Sequence, residues 1–135
     1  MKRKYILIGL FLAGLLVLAG CTSSTKTSDV NAPVDGTVMF KSPSCGCCGV
    51  YSTYMNRQGY DHEVRQTNDM ATIKNRYGVP TSVSSCHTTV VGDYFVEGHV
   101  PAEAINKLME EKPDIAGIAL PGMPSGSPGM PGGKS

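Results

Sequence analysis

Three cysteines within four residues, in the run Ser44-Cys45-Gly46-Cys47-Cys48-Gly49, constrain this chain more than any other feature. The segment before them, Thr37 to Lys41, reads as a short buried strand bounded by Asp35-Gly36 and Ser42-Pro43-Ser44. The segment after them, Cys48 to Gln58, carries Val50, Tyr51, Tyr54 and Met55 at helical spacing, and Gly59 stops it. The thiols therefore sit at a strand-to-helix turn, where unpaired backbone N–H groups and the helix dipole favour a thiolate. A disulfide among such close neighbours would close a loop too small to restrain the unfolded chain, so these thiols read as reactive or metal-binding rather than as structural staples.

Further along, Tyr60 to Gln66 alternates as a half-buried strand. Asn68 or Asp69 can cap a helix carrying Met70, Ile73 and Tyr77 on one face and ending at Gly78. Thr88–Val91 and Tyr94–Val96 flank Gly92-Asp93 as a hairpin, and Pro101 opens a last helix that places Ile105, Leu108 and Met109 inward and closes at Lys112-Pro113. The predicted order, β-α-β-α-β-β-α, matches a thioredoxin-like α/β layout: a mixed four-stranded sheet covered by helices. Beyond Ile118 the sequence predicts only an irregular Pro/Gly/Met-rich tail. The expected organisation is a leader over 1–20, a tether over 21–36, a folded domain over 37–118 and the tail over 119–135.

Lys2-Arg3-Lys4 precedes the apolar run Ile6 to Ala19, a pattern expected of a signal peptide and short for a permanent membrane helix. Leu18-Ala19-Gly20-Cys21 resembles a bacterial lipobox, so Cys21 is the expected lipidation site. Thr22 to Pro33, rich in Ser, Thr, Asn and Asp, would tether an extracytoplasmic domain to a membrane, in the periplasm or at the cell surface. Of the 12 Lys and Arg in the chain, the three in the leader leave 9 against 11 Asp and Glu, a net of −2 for the remainder. A weakly acidic domain without a basic run has no electrostatic footprint for nucleic acid.

With Cys21 assigned to the lipid, Cys45, Cys47, Cys48 and Cys86 remain. Cys45 and Cys48 have the Cys-x-x-Cys spacing of dithiol oxidoreductases, but Cys47 is one thiol more than dithiol exchange requires. Cys86 precedes the strand whose start, in a thioredoxin-like fold, faces the first helix's N-terminus. A cis-proline normally stands there, whereas here Pro80 comes several residues too early and Ser85-Cys86-His87 occupies the approach. Four convergent thiols suit a soft metal. Structural zinc sites usually use two separated Cys-x-x-Cys arms, against three plus one here. Cu(I) accepts low coordination and shares bridging thiolates, so more than one ion fits, and Met123 and Met130 in the tail add thioethers that zinc would not favour.

His87 adjoins Cys86 and reads either as a ligand or as a structural hydrogen-bonder, since neighbouring strand side chains point to opposite faces. His99 lies at a helix entrance, where a structural role is the simpler reading, and His62 reads as an ordinary strand residue. Tyr51, Tyr54 and Met55 read as core.

Lys41-Ser42-Pro43-Ser44-Cys45-Gly46-Cys47-Cys48-Gly49, Gly78-Val79-Pro80, Ser85-Cys86-His87-Thr88, Glu97-Gly98-His99-Val100-Pro101-Ala102 and the repeated Pro-Gly-Met of the tail together resemble the CopG-like copper-resistance proteins, from about Thr37 to Met130. The resemblance implies a thioredoxin-like fold and a Cu(I)-thiolate cluster on Cys45, Cys47, Cys48 and Cys86, with His87, His99, Met123 and Met130 as candidate contributors. It also implies a role in copper resistance through copper redox conversion; copper-export or redox proteins are the expected protein partners. The alternatives are a thiol-disulfide oxidoreductase with Cys45 and Cys48 as catalytic pair, and a passive copper metallochaperone.

Overall fold

The computed structural model describes residues 29–31, 34 and 36–133. The leader, the lipidation site expected at Cys21 and most of the tether lie outside the described residues, among which no helix is long and apolar enough to cross a membrane.

The elements run β1 (Thr37–Lys41), α1 (Gly46–Arg57), β2 (Glu63–Gln66), α2 (Met70–Arg76), a 3-10 turn (Thr81–Val83), β3 (His87–Val91), β4 (Tyr94–Gly98), α3 (Ala102–Glu111) and β5 (Gly117–Leu120). The sheet order is β2-β1-β3-β4-β5. β1 pairs parallel with β2 and antiparallel with β3, β3 pairs antiparallel with β4, and β4 pairs parallel with β5. The predicted elements thus form in the predicted order. The second strand is shorter than its alternation suggests, because Gly59 and Tyr60 donate back to Asn56 O (3.1 Å) and Met55 O (3.0 Å) and are spent closing α1. Asp69, rather than Asn68, caps α2, its carboxylate accepting from Thr72 N at 3.0 Å.

The sheet has a fifth strand where the sequence predicts four. Gly117-Ile118-Ala119-Leu120 pairs with Phe95 to Gly98. The segment is too short for a periodicity signal and runs directly into Pro121-Gly122, so it reads as the beginning of an irregular tail. Because β5 is parallel to β4, it delivers the chain to the same end of the sheet as Gly98 and His99. Gly98 makes this end possible. With φ +76°, it sits where an added Cβ would lie 2.7 Å from both Leu120 O and Ser85 Oγ, a contact that only glycine avoids.

Alternation along the strands sorts the core into two faces. Met39, Val91 and Val96 pack with Tyr51 and Met55 of α1 and with Ile105 and Leu108 of α3. Val38, Phe40 and Val90 pack on the other face with Ile73 of α2. Tyr51 and Met55 are core as expected, but Val50 is 56% exposed, because α1 buries only the stripe that faces the sheet. Tyr54 does more than pack. Its hydroxyl accepts from Ala102 N (2.9 Å), capping α3 where Pro101 has no side-chain donor or acceptor to offer.

Candidate metal centre

The α1 N-terminus, the entry to β3 and the end of β4 meet at one corner of the domain. Cys45 is the N-cap of α1 and has no side-chain cap bond, and the first turn has no acidic residue to answer the dipole. Backbone geometry holds this turn, with Cys45 N donating to Ser42 O at 3.1 Å. Two overlapping donor sets result: Cys45, Cys47, Cys48 and Cys86, and Cys48, Cys86, His87 and His99, each with its ligand atoms within 4.8 Å of one another. Cys48 and Cys86 belong to both.

The four cysteines expected to converge do so. Cys45 and Cys48 are joined as a disulfide, with Cα atoms 5.5 Å apart, and Cys47 and Cys86 are free thiols. Cys47 Sγ lies 3.6 Å from Cys45 Sγ. Met123 closes over the group, its Sδ 3.9 Å from Cys47 Sγ, and holds a left-handed backbone conformation (φ 46°) that disfavours any residue with a Cβ. Met130 is half-buried in the same tail loop, where its N–H donates to Ser127 O at 2.9 Å, and it makes no such sulfur contact among the described residues.

His87 and His99 are fully buried. With Tyr51 they form a ring stack, centroids 4.7 Å (Tyr51–His87), 5.0 Å (Tyr51–His99) and 5.2 Å (His87–His99) apart. The Tyr51 hydroxyl is spent on Val100 O at 2.7 Å, and burial raises its pKa further, so it stays protonated. His87 Nδ1 lies 3.3 Å from Cys86 Sγ, and His99 Nδ1 lies 2.6 Å from the Pro128 carbonyl oxygen. The Nε2 atoms of both rings are buried without a hydrogen-bond partner among the described residues. His62 provides the contrast: Ser52 Oγ meets its Nε2 at 2.8 Å and Tyr60 O its Nδ1 at 3.1 Å, so both nitrogens are engaged, in keeping with an ordinary structural residue.

Burial tunes these donors. It is the main cause that drops the His87 pKa to about 3, aided by the neighbouring His99 and Lys74, and it lowers that of His99, so both imidazoles are neutral and carry a lone pair. Desolvation pushes the Cys86 thiol up to about 11, against the lowering contribution of its Ser85 neighbour. Neutral imidazoles, thiols and a thioether make a soft donor set, and two orphaned buried nitrogens are costly unless something occupies them.

A residue to which the sequence reading assigns no role underlies this corner. Glu97 is fully buried on the α2 face, accepts from Ser85 N (2.5 Å) and Thr88 Oγ1 (2.6 Å), and pairs with Lys74 Nζ. It holds Ser85 by its backbone N–H and Thr88 by its hydroxyl, one on each side of Cys86-His87. Its place in Glu97-Gly98-His99, beside a glycine with a forced conformation, is the one signal of it that the sequence carries.

The fold and site define a class: a small α/β domain with thiol and imidazole donors gathered at one end of its sheet. Two solved structures of a copper resistance protein CopG, designated form 1 and form 2, are each 43% identical to this chain with a TM-score of 0.69, covering 74% of it and 79% and 80% of their own chains respectively. The chain belongs to this CopG family of copper resistance proteins. A family model described as "Protein of unknown function, DUF411" matches residues 83–130, a span that includes Cys86, His87, His99 and both tail methionines. No curated protein matches the chain.

Proposed function

We propose that this protein binds Cu(I) as cargo in a thiolate-rich site outside the cytoplasm and serves copper resistance, anchored to a membrane through lipidated Cys21. Carrying this reading is the junction of two donor sets on Cys48 and Cys86, with four cysteine sulfurs on one side, all thiols once the Cys45–Cys48 disulfide is reduced, and two imidazoles whose Nε2 atoms have no hydrogen-bond partner among the described residues on the other. Cys45, Cys47, Cys48 and Cys86 are the thiolate ligands in this reading, with His87, His99 and Met123 beside them and Met130 further out. More soft donors converge than one low-coordinate ion needs, which supports more than one Cu(I) per chain, held through bridging thiolates. The sheet order, with β3 antiparallel to its neighbours and the thiols at the start of α1, supports a thioredoxin-like kinship.

Reduced protein titrated anaerobically against a tight Cu(I) chelator is expected to take up more than one Cu(I) per chain. Saturation with a single zinc and no preference for copper would overturn the reading. Because the Cys86 thiol is held protonated through the physiological range, copper binding there must release a proton, and Cu(I) affinity should rise with pH from neutrality toward 11. Proton release measured in weakly buffered solution should be smaller in Cys86→Ser than in the wild type.

A second reading rests on the Cys45–Cys48 disulfide. Two thiolates that join give up two electrons, which reduce two Cu(II) to two Cu(I), with the protein left as the disulfide. Cys47, Cys86 and the histidines stay available to hold the product, and an external reductant restores the dithiol by supplying two electrons and two protons. Copper redox conversion and passive delivery to an export protein separate on one measurement. Adding Cu(II) to reduced, metal-free protein under nitrogen forms the Cys45–Cys48 disulfide and two Cu(I) for each disulfide in the first case, and leaves the free-thiol count unchanged in the second.

A further inference from the structure

A neutral imidazole carries one proton on one of two nitrogens, and whatever engages one nitrogen decides what the other can do. At His99 the engaging group is a backbone carbonyl, Pro128 O, 2.6 Å from Nδ1. A carbonyl only accepts, so Nδ1 must carry the proton. Nε2 is then a bare lone pair, buried and unpartnered among the described residues, on a ring that shares a donor set with Cys48, Cys86 and His87.

Pro128 belongs to the tail, where nothing in the composition requires a fixed structure. It is fixed all the same. Within the loop, Ser127 N and Oγ both reach Pro124 O (3.1 and 2.7 Å), while Gly126 N and Ser125 Oγ donate to Pro131 O (3.1 and 2.9 Å). The loop seats on α1 at Gly129, which has φ +78° and lies so close that an added Cβ would be 2.9 Å from Tyr51 N and 3.1 Å from Tyr51 Cα. These are backbone atoms in the first half of a helix, and they cannot give way. At its leading end the same tail places Met123 against Cys47.

We propose that the tail loop 124–131 is a strap that seats on α1 through Gly129 and, through the Pro128 carbonyl, fixes His99 in the Nδ1–H form, so that its Nε2 is presented to the metal centre as a ligand. His99 is then a ligand, and Pro128 and Gly129 are positioning residues. The inference rests on the copper-site reading above for what Nε2 binds, but the strap's control of the ring stands without metal.

The decisive variant is Gly129→Ala, with Gly133→Ala as a control in the same tail, since a Cβ there meets nothing within 4 Å. Long-range 1H–15N spectra of reduced, metal-free protein at neutral pH should show the Nδ1–H form of His99 in the wild type and in Gly133→Ala. In Gly129→Ala the ring should shift toward the Nε2–H form. Competition with a Cu(I) chelator should then show about 10- to 100-fold weaker binding in Gly129→Ala, the usual cost of losing a ligand's orienting partner. His99→Asn keeps an N–H near the δ position to hold Pro128 O but has no ε nitrogen. It should keep the strap seated, with tail amide signals unchanged, yet lose at least as much affinity, and it tests the ligand role should Gly129→Ala fold poorly. An Nε2–H ring in the wild type, an unchanged tautomer in Gly129→Ala, or full copper affinity in either variant would overturn the proposal. Failure of the wild type to bind Cu(I) would overturn the site reading, and the metal-free spectra would still decide the strap.

Discussion

Cys86→Ser is expected to weaken Cu(I) binding by at least about 100-fold, beyond the loss usual for an orienting partner, whereas Cys47→Ser should lower the number of ions held and leave a tight site behind. The asymmetry follows from the overlap of the two donor sets. Cys45 and Cys47 belong to the four-thiol set alone, and His87 and His99 to the mixed set alone, but Cys86 and Cys48 belong to both. Removing Cys47 leaves Cys48, Cys86 and two imidazoles around one ion. Replacing Cys86 leaves a hard hydroxyl, a poor partner for Cu(I), at the point where both sets meet. Cys86 is a cleaner probe than Cys48, which is fully buried and also forms the disulfide with Cys45. Chelator competition on reduced protein gives affinity and stoichiometry in one titration. Near-wild-type affinity in Cys86→Ser would place the metal on the Cys45–Cys48 turn alone.

The thiol half of this site is legible in the sequence because it is local. Cys45, Cys47 and Cys48 are near neighbours, and a strand-turn-helix context dictates where their side chains go. Cys86 is legible at one remove, because the order of elements places its strand opposite the α1 N-terminus. The imidazole half is not legible in this way. Whether His99 has a spare lone pair depends on a carbonyl 29 positions away, in a segment whose composition predicts no structure. Only the strand β5, itself hidden in four residues before Pro121-Gly122, brings that segment back to the site. Alternation alone leaves His87 undecided, and the structure turns it toward Tyr51 rather than α2. Glu97 is invisible as a functional group because alternation marks a strand residue as buried without naming its partner, and the partner, Lys74, comes from a helix on the other side of the sheet from the thiols.

That buried pair should be among the most destabilising positions to alter singly. Glu97 is completely buried, and the side chain of Lys74 is 13% exposed, so hydration replaces little of what either charge loses when the other is removed. Lys74→Met would leave a carboxylate with only Ser85 N and Thr88 Oγ1 as donors, and Glu97→Leu would leave the Lys74 ammonium with only the Thr88 hydroxyl and take the acceptor from Ser85 N and Thr88 Oγ1. Breaking a buried pair from one side typically costs about 3–5 kcal/mol, a large share of the stability of a domain this size. Each single variant should therefore show a urea midpoint well below that of the wild type. The double variant Lys74→Met/Glu97→Leu removes both charges and should be less destabilised than the sum of the singles, with the difference measuring the coupling. It should not be fully restored, because Ser85 N and Thr88 Oγ1 still lack their acceptor, and that residual loss falls on the backbone that carries Cys86 and His87. Cu(I) affinity in the double variant should accordingly drop even where the fold is intact. Singles within about 0.5 kcal/mol of wild type, the range of ordinary surface substitutions, would mean that the Ser85–Thr88 segment is held by the sheet alone.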